Sequence, residues 1–355
     1  MKTLFFLLCL ALPASGFARA VGDANDPVLS SYFVVPKDQS TMRSIAKVFE
    51  VEHRRANGYE IIVPAHRAQE LLALAPEAHL IEFDINAKYD RLNGKWLAGY
   101  HDFTTVESEL RQIASAHPDL ATFDVYGKSK EGRPLFVLKL AGNAKQNQPE
   151  VMLTSATHGD ELIGVEVLFG ILNGLVSGYG KDTRVTDIVN HHTIYFIPVI
   201  NPDGYIRKQR YANGVDPNRE YPWPETPDRN PNECIKAVMD FFAQHDIKGS
   251  IDYHASGGMI MFPWAYTEDS VASVDAKAFE EVTRRMAATN GYQHGQIPAL
   301  LYTAPGSSAD YYYWKKASLS LGLEIGDSKI PSASQIGKYV KENLEAAYLF
   351  IESLK

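Results

Sequence analysis

His158-Gly159-Asp160-Glu161, with a lone His254 far downstream, supplies two imidazoles and a carboxylate that together can hold a metal ion. Zinc accepts that donor set, and a catalytic zinc site keeps three protein ligands and one position open to water. A spacing of three lets His158 and Glu161 converge on one ion from a tight turn or a first helical turn, whereas neighbours one or two apart would point in different directions. The pair alone is a weak signal and reads more readily as a surface His and Glu at a helix start, so its surroundings must decide. Glu324 is the first addition. It sits inside the apolar run Leu321-Gly322-Leu323-Glu324-Ile325, where a carboxylate needs a partner or a task.

Three strands have to carry these groups to one place. From about Lys95 onward the chain alternates helix-like and strand-like segments. Thr105 to Ala116 reads as a helix, Leu135 to Leu140 and Val151 to Ala156 as strands, Glu161 to Leu175 as a helix, and Thr193 to Ile200 as a strand. Cys234 to His245 then reads as a helix, Gly249 to Tyr253 as a strand, Ala276 to Ala288 as a helix, Ser318 to Ile325 as a strand, and Ser334 to Leu354 as a closing helix. Such alternation predicts an α/β domain, a parallel or mixed central sheet flanked by helices on both faces. Ligands bind beyond the carboxyl ends of the strands in that architecture. His158 follows one buried strand, His254 follows another, and Glu324 lies near the end of a third.

Residues 28–86 follow a different pattern. Strand-like Tyr32 to Val35, helical Met42 to Phe49, strand-like Val51 to Arg54 and Tyr59 to Val63, helical Ala68 to Leu74 and strand-like Leu80 to Phe83 give the order β-α-β-β-α-β. Asn57-Gly58 between the middle strands is a hairpin signal, and the unit has the size of a small α+β split-βαβ domain. A polar connector through Lys88, Asp90 and Arg91 follows it. The expected divisions are thus 1–20, 21–92 and 93–355.

The first twenty residues read as a Sec-type signal peptide. Lys2 gives the positive start, Leu4 to Leu12 the apolar core, and Ala18-Arg19-Ala20 the small-x-small cleavage site, so export and a chain beginning at Val21 are expected. The core is too short to span a bilayer. Cys9 lacks the small residues that a lipoprotein signal places before its cysteine, so no lipid anchor is expected. With 45% hydrophobic and 22% charged residues in 355, the remainder has an ordinary globular composition. Removing the leader takes away two basic residues, Lys2 and Arg19, and no acids, so the net charge goes from −8 to −10. That balance argues against nucleic acid as a partner. Only Cys234 then remains, so no intramolecular disulfide is expected and the thiol reads as an apolar filler.

From about Tyr100 to the C-terminus the chain resembles the zinc metallocarboxypeptidases of the carboxypeptidase A/B family. The resemblance is carried by Tyr126-Gly127-Lys128-Ser129-Lys130-Glu131-Gly132-Arg133, His158-Gly159-Asp160-Glu161 and Asn201-Pro202-Asp203-Gly204-Tyr205. It continues through Arg207-Lys208-Gln209-Arg210, Gly214-Val215-Asp216-Pro217-Asn218-Arg219, His254, Tyr302 with Gly306 and Asp310, and Glu324. Residues 28–86 resemble that family's activation peptide, which caps the active site of the proenzyme. The resemblance implies that His158, Glu161 and His254 hold one Zn²⁺, the donor set of carboxypeptidase A itself. It implies that Asn218 and Arg219 bind a substrate's terminal carboxylate, that Tyr302 closes over it, that Arg210 polarises the scissile carbonyl and that Glu324 is the general base. These roles are physically coherent. A guanidinium forks onto a carboxylate, and a carboxylate near the zinc site can move a proton from water to the leaving amine. Cobalt or nickel would fit the same ligands.

The other chemistry-bearing residues have plainer readings. Tyr311, Tyr312 and Tyr313 read as packing or surface residues, Arg207 as an outer substrate contact or a solvated cation, and Gly257-Gly258 as a tight turn. His191-His192 precede a strand, where neighbours face opposite ways, so they read as structural. Asp252 shares a strand face with His254 and reads either as its outer partner or as a core-edge acid. In the family's register the residue before Asp310, here Ala309 with Ser307 and Gly322 nearby, helps set the terminal side-chain preference. No acid stands there, so apolar or aromatic C-terminal residues are expected rather than Lys or Arg. Two departures bear on substrate. His-Gly-Asp-Glu also occurs in relatives that cut γ-D-Glu-diaminopimelate bonds of murein peptides, and Glu220 puts an extra negative charge close to the clamp. The expected activity is hydrolysis of the last peptide bond of peptides and proteins. The alternatives are a murein-peptide amidase and an inactive binding protein. If the small domain inhibits, an activating protease acting at Lys88 or Arg91 is an expected partner.

Overall fold

The computed structural model describes residues 28–354 apart from 47, 56, 86, 88–97 and 143–147. The expected leader, its cleavage site and the connector residues Lys88 and Arg91 lie outside the described residues.

Two sheets organise the chain. The first holds β1 (Leu29–Val34), β2 (Glu50–Arg55), β3 (Gly58–Pro64) and β4 (His79–Glu82) in the order β2-β3-β1-β4, all neighbours antiparallel. Helices α1 (Gln39–Ala46) and α2 (Ala68–Leu74) complete the β-α-β-β-α-β order and pack Ile45 and Leu71 onto Val34, Ile61 and Val63. Gly58 is required in the β2–β3 turn, because a Cβ there would lie 2.4 Å from the Val34 carbonyl oxygen.

The second sheet has eight strands in the order β11-β10-β12-β9-β7-β8-β6-β5. They are β5 (Ala121–Lys128), β6 (Pro134–Leu140), β7 (Glu150–Ser155), β8 (Thr193–Ile197), β9 (Ile247–His254), β10 (Met259–Phe262), β11 (Gln293–Gln296) and β12 (Leu319–Glu324). The middle strands β12, β9, β7 and β8 run parallel, whereas β6 pairs antiparallel with β8 and with β5, and β10 with β12, so the sheet is mixed. Strand period fixes the two faces. Val151 and Leu153, with Ile194 and Phe196, point into one core; Met152, with Tyr195 and Ile197, points into the other. The first face is covered by α3 (Phe103–Ala116), α4 (Leu162–Gly178), α8 (Ser273–Asn290) and α11 (Ala333–Glu352), and the second by α7 (Glu233–Gln244). The α/β class and the helices on both faces are those the alternation implied.

Several elements carry no clear periodic signal. The edge strand β5 has only Ala121 buried, β10 and β11 are only four residues each, and helices α6 (Pro202–Arg207) and α9 (Ile297–Leu300) are only six and four. Helix α10 (Ser308–Lys316) reads Ser-Ala-Asp-Tyr-Tyr-Tyr-Trp-Lys-Lys, with four weak helix formers in a row. Its start is set by Ser307, whose hydroxyl accepts from the Asp310 amide at 3.3 Å, and its tyrosines 311–313 are buried. His191 and His192 differ from the sequence reading. His191 ends helix α5 (Thr183–His191), and both rings face carbonyls one helical turn back, those of Asp187 and Ile188, so their structural role comes from a helix end and not from a strand.

Where the large unit begins, His101 is gripped from two helices. Its Nε2 lies 2.7 Å from Glu109 Oε2 on α3 and its Nδ1 2.9 Å from Glu166 Oε2 on α4, with the ring stacked on Phe169. Burial opposes a charge on His101, but the hydrogen bonds to Glu109 and Glu166 outweigh it and raise the pKa to about 9 from the ordinary 6.5. A raised folded-state value means that the clamp's stabilisation is complete below about pH 6.5 and is lost as the pH rises through about 9. His101→Gln should therefore lower the melting temperature at about pH 6 by roughly 1–2 °C, the response to about 1 kcal/mol in a chain of 355 residues. The gap to the parent should close near pH 10, and thermal melts giving an equal gap at both pH values would contradict the charged clamp.

Candidate functional site

The carboxyl ends of β7, β9 and β12 converge on one cavity. Beyond β7 the backbone turns at Ala156, whose φ of 45° is left-handed, and the Ser155 and Ala156 carbonyls accept from the Ile200 and Asn201 amides at 3.1 and 3.0 Å. Gly159 has to be glycine: a Cβ there would lie 2.2 Å from the Gly204 carbonyl carbon, so the His-Gly-Asp-Glu and Asn-Pro-Asp-Gly segments meet backbone to backbone. Helix α4 starts at Leu162, which fixes Glu161 at its mouth. His254 is the last residue of β9 and pairs in register with Glu324, the last of β12.

His158, Glu161 and His254 are all buried, and their candidate ligand atoms lie within 4.8 Å of one another. His158 Nδ1 is 2.9 Å from Glu161 Oε1, His254 Nδ1 is 2.9 Å from Glu161 Oε2, and the two Nδ1 atoms are 3.1 Å apart. The outer nitrogens are engaged elsewhere. His158 Nε2 lies 3.1 Å from Asp216 Oδ1, and His254 Nε2 lies 3.1 Å from Asp252 Oδ2. A proton on each Nε2 facing its aspartate leaves both Nδ1 lone pairs and the Glu161 carboxylate for one cation. The donor set and its outer carboxylates therefore fit zinc. Asp252 is itself fixed by the hydroxyls of Thr154, Thr157 and Ser308 at 2.9 to 3.0 Å, which settles its two readings in favour of an outer partner of His254. Burial would raise the Glu161 pKa, yet His158 and His254 hold it well below the usual carboxylate range.

Glu324 lies in the same cavity, and burial, together with the charge of Glu161, pushes its carboxyl up to about 7. Arg210 is buried, its Nη1 3.2 Å from Glu161 Oε1 and its Nη2 3.1 Å from Asp216 Oδ2. Asn218 and Arg219 come from a short turn, Pro217–Arg219, in which the Asp216 carboxylate accepts from the Asn218 amide at 2.8 Å. Asn218 Oδ1 accepts from the Ser308 amide at 2.9 Å, and Arg219 Nη2 donates to the Tyr302 hydroxyl at 3.1 Å. Gly306 backs this pair; its φ is 84°, and a Cβ would lie 2.4 Å from the Arg219 carbonyl oxygen. The far end of the cavity is apolar, lined by Ala309, Met261, Ala265 and Ile297 with Ser307 and Gly322. Asp310, behind Ala309, accepts from the Ala265 and Tyr266 amides at 2.7 and 2.9 Å, and burial pushes its carboxyl up to about 7.

All nine residues singled out for the site in the sequence thus border one cavity or hold one another around it. Glu220 behaves differently from the sequence reading. Its carboxylate is taken by Arg229 at 2.6 Å and by the Asn232 amide at 3.1 Å, so its charge is compensated away from the clamp. Arg207 is ion-paired with Glu131. Sequence reasoning gave no role to Asp216, although its place two residues before Asn218 was a signal, and none to Lys329, whose surroundings carry no motif. The small sheet reaches the cavity as well. Val51 and Glu52 are among its lining residues, and Tyr302 donates its hydroxyl to the Val51 carbonyl at 3.0 Å.

A sequence model of the zinc carboxypeptidase family matches residues 106–346. The chain belongs to that family. A zinc carboxypeptidase of Saccharothrix mutabilis subsp. capreolus is 30% identical over 290 residues, covering 70% of this chain and 66% of the relative. Mouse carboxypeptidase A4 is 27% identical over 311 residues, covering 77% of this chain and 73% of the relative. The chain spans only 21% of the length of mouse carboxypeptidase D, which is 25% identical over 291 residues. Among solved structures, Helicoverpa armigera carboxypeptidase A has the same fold, with a TM-score of 0.77 at 18% identity, covering 92% of this chain and 97% of the other.

If Asp252 and Asp216 hold the zinc-binding imidazoles, then removing the Asp252 charge should weaken zinc binding without removing a ligand. Asp252→Asn is expected to lower zinc affinity by about 10–100-fold, the usual consequence of losing an outer partner. Competition against a chromophoric chelator measures it, and unchanged affinity would contradict the role.

Proposed function

We propose that the protein is an exported, zinc-dependent metallocarboxypeptidase that releases single residues from peptide and protein C-termini, with apolar or aromatic terminal side chains preferred. The observation that carries this reading is the opening of Asn218, Arg219 and Tyr302 into the same cavity as His158, His254 and Glu324, with apolar lining at Ala309, Met261, Ala265 and Ile297. A guanidinium beside an amide donor suits a terminal carboxylate, and the apolar end suits an uncharged side chain. The His158, Glu161 and His254 triad would hold zinc, which supplies a Lewis acid for the scissile carbonyl and for the attacking water. Glu324 accepts a proton from that water and hands it to the departing amine, a task served by a pKa near neutrality. Arg210, buried beside Glu161, offers positive charge to the carbonyl oxygen as negative charge develops there. Export rests on Lys2, Leu4 to Leu12 and Ala18-Arg19-Ala20, and predicts Val21 as the first residue of the secreted protein.

The small domain acts as an inhibitory cap in this reading. Tyr302, the residue that would close over substrate, spends its hydroxyl on the Val51 carbonyl, and Val51 and Glu52 border the cavity. Cleavage in the connector, where Lys88 and Arg91 stand, would release it.

Peptide products read by mass spectrometry test the proposal. The zinc-loaded full chain should trim ordinary L-peptides one residue at a time after limited trypsin treatment and much more slowly before it. Glu324→Gln is expected to reduce kcat by about 10²–10⁴-fold. Arg210→Met is expected to reduce kcat by about 10²–10³-fold with little change in KM, because its charge serves the transition state. Cleavage confined to γ-D-glutamyl-diaminopimelate murein peptides, or equal activity before and after trypsin, would contradict the corresponding part of the reading.

A further inference from the structure

A buried ion cluster adjoins the metal ligands and takes no part in the hydrolysis described above. Lys329 follows β12 and is 5% exposed. Its Nζ lies 2.8 Å from Asp160 Oδ2, 2.6 Å from Glu52 Oε1 and 3.9 Å from Glu161 Oε1. The two close partners differ in origin. Asp160 belongs to the metal-ligand loop, whereas Glu52 reaches in from β2 of the small sheet. One of the two compensating carboxylates therefore stays with the catalytic unit, and the other departs with the cap.

Contacts through the cavity give it a direction. Asn218 Nδ2 lies 3.2 Å from His254 Nε2, His254 Nδ1 lies 2.9 Å from Glu161 Oε2, and Glu161 Oε1 lies 3.9 Å from Lys329. Lys329 thus adjoins the metal-ligand loop through Asp160 and Glu161, and Glu52, which borders the cavity, covers it. A peptide whose terminal carboxylate is in the clamp would offer Lys329 a side chain on the amino side of the scissile bond. The cap already makes a related contact. Strand residues Val51 and Glu52 border the cavity, the Val51 carbonyl accepting from Tyr302 and the Glu52 carboxylate from Lys329.

A buried ammonium that loses one of two carboxylates is under-compensated, and the incoming group that best restores the balance is another carboxylate. Asp160 reinforces the point. Its Oδ1 is buried with no hydrogen-bond partner among the described residues, so its charge is committed to Lys329 through Oδ2 alone.

We infer that Lys329 is a specificity-determining residue, the floor of an anion subsite that Glu52 fills in the capped chain and that an acidic side chain on the amino side of the scissile bond fills during turnover. The inference rests on the carboxypeptidase reading and narrows its substrate class to peptides with Glu or Asp close upstream of an apolar terminal residue.

The test uses the zinc-loaded full chain, cut in the connector by limited trypsin treatment with both pieces retained. Blocked tetrapeptides ending in Phe carry Glu, Gln or Lys at the penultimate or the antepenultimate position. In the parent enzyme kcat/KM for Glu over Gln should be about tenfold at one of the two positions, within the range that close charge pairs contribute at interfaces, and the ratio should fall as salt is added. Lys329→Gln should bring the Glu to Gln ratio near one, and Lys329→Glu should turn the preference toward Lys. Each ratio is taken within one enzyme preparation, so a loss of folded protein cancels. A parent that cleaves the Gln peptides well and shows no Glu preference at either position overturns the Lys329 assignment and leaves the carboxypeptidase reading standing. A parent that cleaves none of the peptides overturns both.

Discussion

Everything at this site depends on compensating charge in a place largely closed to solvent. His158, Glu161, His254, Asp216, Asp252, Arg210 and Lys329 are each within hydrogen-bond or ion-pair reach of at least one other, and nearly all are buried. An isolated charge in such surroundings is costly, so each group must have its partner in place before the site can exist. The fold meets that demand by bringing three strand ends and one helix mouth to the same point, and by giving each imidazole a carboxylate behind it. The same arrangement fixes the ring orientations that a cation needs.

Backbone approach is the second constraint. Gly159 against Gly204, and Gly306 against Arg219, bring two pairs of segments closer than any side chain would allow. These glycines account for the motifs in which they sit. Asn-Pro-Asp-Gly supplies no ligand but carries the wall against which the ligand loop is pressed, and Asp203 within it ties down Ser129 and Arg133 of another motif. Motifs spread along the sequence are therefore parts of one scaffold around the cavity.

Much of this could be read from the sequence, and for identifiable reasons. Buried strands such as Val151 to Ser155 and helices as apolar as α4 announce themselves by composition, and residues at their ends fall where an α/β sheet places ligands. Helix α10 was hidden because its tyrosines favour helix weakly, and β10 and β11 because four residues give no period. Long-range compensation was hidden for a different reason. Glu220 with Arg229, Glu52 with Lys329 and Asp216 with His158 are partnerships that only the folded chain creates, and nothing local in the sequence announces a charge's partner. The reading of Glu220 as an extra negative charge close to the clamp missed its partner Arg229 for that reason.

The proposed function depends on recognition of a terminal carboxylate by Asn218, Arg219 and Tyr302. The most direct measurement compares one peptide ending in Phe as the free acid with the same peptide as its C-terminal amide, using the zinc-loaded, connector-cleaved chain. The account predicts rapid release of Phe from the acid and essentially no cleavage of the amide, because the guanidinium then has no anion to hold. Equal rates on the two peptides would contradict it and would mean that the cavity recognises something other than a chain end.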